Sequence, residues 1–85
     1  MIEADFGRVI TKHNTTIGTI YMFDLIPSMW AVMVFDAESQ IILSRTFPYT
    51  EKTEKTSFAH CRTFYKKVKD ILLVERNLDA IEELL

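Results

Sequence analysis

Glycine and proline are almost missing from this chain. Gly7 and Gly18 are the only glycines, and Pro27 and Pro48 the only prolines. Neither glycine precedes a helix-like pattern, which excludes a glycine-rich loop cradling phosphates. The single cysteine, Cys61, excludes a disulfide framework within one chain. With His13 and His60 the only histidines, no Cys-x-x-Cys or His-x-x-x-His spacing assembles a metal-ligand set. No cofactor and no metal are therefore expected. Long apolar runs are lacking too: the longest uncharged stretch, residues 25–35, is broken by Pro27 and falls well short of the ~20 residues of a membrane helix. Residues 1–5 are acidic where a signal peptide is basic. A soluble, cytoplasmic protein is expected.

What is present reads as one globular domain, residues 1–85, with 48% hydrophobic and 26% charged residues. A domain this small hides only about 60–65% of its unfolded surface, so association with a partner would help it. Four stretches alternate or are rich in β-branched and aromatic residues: 6–13, 17–25, 29–35 and 40–47. Polar or proline-containing breaks centred on Asn14-Thr15, Pro27-Ser28 and Ala37-Glu38 separate them. Connections this short favour antiparallel neighbours, hence a meander in chain order. Residues 50–57 are a polar connector. Beyond it Phe58, Cys61, Tyr65, Val68 and Leu72 recur at helical spacing, with Phe64 and Ile71 widening the stripe. Helical segments are expected at 57–76 and 78–85, capped by Thr56 or Ser57 and by Asn77. The fold class is α+β: a four-stranded antiparallel meander with one or two C-terminal helices packed on one sheet face.

With those turn centres, the helix-facing side collects Phe6, Ile10, Ile17, Tyr21, Phe23, Leu25, Trp30, Val32, Val34, Ile41, Leu43 and Phe47. The other side collects Val9, Ile20, Met22, Asp24, Met29, Ala31, Met33, Phe35 and Ile42. A slip of one residue at any turn exchanges the two sets for the strands beyond it. One helical layer cannot cover both sides. A Met-rich surface of Ile20, Met22, Met29, Met33, Phe35 and Ile42 is therefore expected to be free for a partner protein or a second copy.

Reactive groups do not assemble into a catalytic constellation. His60 and Cys61 are helix neighbours and diverge by about 100°. Cys61 falls on the apolar stripe, and His13 stands beside a turn. Asp24 and Asp36 read as solvated strand-end carboxylates, and the 14–16 glycosylation sequon has no secretory context. The chain is expected not to be an enzyme. The expected function is a small protein–protein interaction module of regulatory or inhibitor type, as phages and mobile elements carry, self-associating through the Met-rich face as a homodimer.

Charge supplies the alternative. Residues 45–69 carry a local excess of five positive charges, while the chain overall is at −2. Lys52, Lys55, Arg62, Lys66 and Lys67, with Phe64 and Tyr65 interleaved, resemble the mixture of cations and rings that binds single-stranded nucleic acid. The segment from Asp70 onward is acidic.

Overall fold

The computed structural model describes residues 7–26, 28–75 and 78–82, the side chains of Leu78 and Glu82 excepted. Four strands, β1 (Gly7–Asn14), β2 (Thr19–Leu25), β3 (Met29–Phe35) and β4 (Ile41–Pro48), form one antiparallel sheet in the order β1-β2-β3-β4. Helix α1 (Glu54–Asp70) follows and continues into a wider π-helical turn, Ile71–Glu75; a short α2 (Leu78–Glu82) closes the described chain. Phe6, Pro27, the expected cap Asn77 and Leu85 lie outside the described residues. No helix among the described residues is long and apolar enough to cross a membrane.

Side-chain chemistry explains each turn. Between paired Asn14 and Thr19, the Thr15 hydroxyl donates to the Gly18 carbonyl at 2.7 Å and accepts the Gly18 N–H at 3.1 Å. Gly18 must lack a side chain, because a Cβ there would stand 2.5 Å from the Phe35 carbonyl oxygen. Between β3 and β4, Asp36 Oδ1 accepts the N–H groups of Glu38 and Gln40, both at 2.9 Å. Ser39 takes a left-handed φ of 64° in the same turn.

The connection between β2 and β3 corrects the sequence reading. Leu25 pairs with Met29 across three residues, where a two-residue turn on Pro27-Ser28 would pair Ile26 with Met29. That one-residue difference inverts β2. Ile20 and Met22 stand opposite Val34 and Val32 on the helix side, and Tyr21, Phe23 and Leu25 lie on the other. Ile42 is corrected as well. It is the extra residue of a bulge between the pairs Phe35–Ile41 and Val34–Leu43, and it packs against the helix-side cluster.

The main core lies between sheet and helix. Ile20, Met22, Trp30, Val32, Val34 and Leu43 from the sheet meet Cys61, Phe64, Tyr65, Val68 and Leu72, with Ile81 of α2 joining them. Each large side chain so buried contributes roughly 1.5–3 kcal/mol before entropy is counted. The expected helical stripe is thus the docked face. The helix itself starts earlier than its apolar pattern, at Glu54 rather than residue 57. Its first turn is polar and exposed, and it is held by other means. Thr50 donates its N–H to the Thr53 hydroxyl at 2.9 Å. Ser57, inside the helix, donates its hydroxyl to the Pro48 carbonyl at 3.0 Å, and the Trp30 indole N–H reaches the Glu54 carbonyl at 3.2 Å.

Candidate functional site

Of the six residues expected on a free Met-rich face, the sheet brings together Met29, Met33 and Phe35 and turns Ile20, Met22 and Ile42 toward the helix. None of the six is exposed. Phe23, Leu25, Ala31 and Met33 form a second buried cluster, with Val9, Tyr21, Met29 and Phe35 packed around it. Tyr21 stacks on Phe23 at 5.3 Å and meets Phe35 edge-on at 5.4 Å. The second face is a compact apolar layer rather than an exposed patch.

The basic segment divides in a similar way. Phe64 and Tyr65 are buried in the core, so their rings offer no stacking platform. Lys52 lies in the turn before α1. At 100° per residue, Lys55, Arg62, Lys66 and Lys69 share one flank of α1, and Lys67 falls on another, where Asp70 and Glu75 accompany it. His60 also points away from the sheet, exposed, and His13 sits far along β1. Cys61 is fully buried, and burial pushes its thiol up to about 11. The thiol should react with Ellman's reagent at pH 8 at least about 100-fold more slowly in the native chain than in guanidinium, since the thiolate is the nucleophile. The folded state keeps its proton where the unfolded state loses one. The thiol therefore leaves stability unaffected below pH 9 and lowers it between 9 and 11, which alkaline urea titrations would register.

A feature that the sequence reading did not single out emerges beside α1. The helix packs on β2, β3 and β4 and leaves β1 largely outside its footprint. The seam toward β4 is closed: Phe47 meets Phe64 at 5.9 Å, and the Arg45 guanidinium lies over both rings at 5.1 and 4.7 Å. The seam toward β1 is open. At one end a cleft of about 330 Å³ is lined by Arg8, Ile10, Trp30, Glu54, Lys55 and Phe58. At the other a hollow of about 360 Å³ is lined by Asn14, Thr15, Thr16, Leu72 and Leu73.

The local causes are visible. Trp30 is clamped between Tyr49, stacked at 4.8 Å, and the edge of Phe58 at 4.9 Å, which fixes the aromatic floor. Ile10 is the unpaired residue of a β-bulge between the pairs Val9–Phe23 and Thr11–Met22. A bulge re-aims a side chain and bends an edge strand, and Ile10 is 37% exposed at the cleft. Arg8 reaches Asp24 at 3.5 Å, and Asp24 accepts a long hydrogen bond from the Tyr49 hydroxyl, also 3.5 Å. Desolvation, then the carboxylates of Asp24 and Glu54, raise the Tyr49 phenol above its ordinary value.

A geometric signal for this cleft exists in the sequence. Four strands span about 14 Å between outer axes at ~4.8 Å spacing, and one helix is about 10 Å across. A single helix must leave an edge strand bare. Compared with known proteins, the chain matches no family model, no curated protein and no solved structure.

Proposed function

We propose that this chain is a small non-catalytic protein-binding module, of regulatory or inhibitor type and acting in the cytoplasm, that grips a segment of another protein in the cleft between β1 and α1. The observation that carries this reading is the helix side of β1, left uncovered among the described residues, with its aromatic floor: Ile10, Trp30 and Phe58 line a concave, largely apolar surface at an edge of the sheet. Aromatic-lined clefts with a few charged groups at the rim are what partner segments use as anchoring pockets. A binding role in preference to catalysis is supported by the dispersal of the reactive groups, with His13 on β1, His60 on the outer helix face and Cys61 in the core.

Random-peptide display against the full chain tests the proposal. Selected peptides should bind the wild type and lose at least about tenfold in affinity on Ile10→Glu, a change at an edge position that should leave the thermal transition nearly unmoved. Trp30 is the only tryptophan, so its fluorescence should change on binding. Failure to enrich any peptide, or equal binding to Ile10→Glu, would overturn the cleft as the site.

A further inference from the structure

Resting on the cleft as the binding site, we propose that its occupant is an acidic, extended peptide segment with one large apolar anchor. The anchor seats against Ile10, Trp30 and Phe58, and the carboxylates run along α1 toward its C-terminal end. The charge arrangement carries this. Lys55 lines the cleft, and Arg62, Lys66 and Lys69 stand seven, eleven and fourteen residues further on, so all four lie on the flank of α1 that overlooks β1. Of the acids of α1, Glu54 lines the aromatic end of the cleft beside Lys55 and Asp70 stands one turn beyond Lys66, while the helix carries no acid between Lys55 and Lys69.

Charge balance also sets the polarity of the ligand. Arg8 is engaged by Asp24 and Glu54 stands beside Lys55, so the aromatic end is close to charge-balanced and takes the apolar anchor, with the acids beyond it. From Lys55 to Lys69 the helix rises about 21 Å, which an extended peptide of roughly seven residues covers. The outer edge of β1 is interrupted by the bulge at Ile10, so recognition falls to side chains more than to a continuous added strand. Nucleic acid fits less well. The rings of Phe64 and Tyr65 are in the core, leaving phosphates attracted but bases without a platform.

The test uses the full chain and five probes: a peptide of about eight residues with a phenylalanine at one end and glutamates after it, the same peptide with the phenylalanine at the other end, the glutamine counterpart of each, and an oligothymidylate. Binding is read by fluorescence anisotropy and by Trp30 emission. At least one glutamate peptide should bind, weaken as salt rises from about 20 to about 200 mM, which brackets a Debye length of ~10 Å, and lose about tenfold on Arg62→Glu/Lys66→Glu. Lys67→Glu, on another flank, should change affinity less than about threefold.

Equal binding of the glutamine peptides, tighter binding of oligothymidylate, or indifference to Arg62→Glu/Lys66→Glu would each overturn the acidic assignment. So would a concentration-dependent mass in light scattering that the peptide does not reverse, since a second copy would then be the occupant. If display yields cleft-dependent peptides that carry no acids, the cleft stands and this inference alone falls; if no cleft-dependent peptide emerges, both fall.

Discussion

Val68→Asp is expected to leave the chain unfolded at 25 °C, with no cooperative thermal transition by circular dichroism. Val68 is fully buried on α1 within the cluster that joins the helix to the sheet. No charged side chain is buried among the described residues, so no cation is there to pair with a carboxylate. An unpaired carboxylate in such a place costs about 4 kcal/mol or more, counting the desolvation that a shifted pKa only partly relieves. A domain of 85 residues has a total stability of roughly 4–13 kcal/mol. With the lost burial of the valine adding roughly 1.5–3 kcal/mol, the substitution removes the whole margin over the lower half of that range.

The control is Thr63→Asp. Thr63 is exposed on the outer helix surface and donates only to the Ala59 carbonyl one turn back, at 2.9 Å. Its replacement should cost no more than about 0.5 kcal/mol. Two aspartates five residues apart on one helix would then differ by several kcal/mol, because one points into the sheet and the other into water. A cooperative, wild-type-like transition for Val68→Asp would mean that α1 is not docked on the sheet in solution.

Why the helix was readable and β2 was not comes down to contrast. In α1 and the turn that continues it, the buried Cys61, Tyr65, Val68 and Leu72 alternate with Arg62, Thr63, Lys66 and Lys67, so one periodicity separates the faces. The strand order follows from short connections alone, and β3 divides as its sequence suggests, with Trp30, Val32 and Val34 toward the helix. In β2 both alternating sets are largely apolar: Ile20 and Met22 on one side, with Asp24 the one charged member near the strand end, and Tyr21, Phe23 and Leu25 on the other. Alternation there carries no phase, and only the length of the 26–28 connection decides which set meets the helix. The helix start was hidden for the opposite reason: its first turn is all polar and held by hydrogen bonds from Thr50, Ser57 and Trp30. The cleft depends on a bulge at Ile10, and the 7–14 stretch contains nothing that distinguishes a bulge from a regular imperfect strand.

Phe23→Ala should destabilise the chain by about 3–5 kcal/mol without removing a single contact to the helix. At roughly 4–8 °C per kcal/mol for a domain this size, its midpoint should fall by some 12 °C or more. Phe23 is fully buried on the sheet face away from α1. Its cross-strand neighbours are small or branched, Val9 on β1 and Ala31 on β3, and Tyr21 stacks on it along the strand. Truncating the ring leaves a hole that Ala31 is too short to fill. By the same reasoning Met33→Asp, at a position only 8% exposed, would unfold the chain before it could report on any interface there. Phe35→Ala, half-buried at the margin of this layer, should cost appreciably less than Phe23→Ala. A loss below 1 kcal/mol for Phe23→Ala, read from urea midpoints at unchanged m, would show that this second layer is loose in solution. It would then return the face to consideration as a surface awaiting a partner. A loss in the expected range makes the layer part of the fold itself, and the β1–α1 cleft is then the surface on which a partner is to be sought.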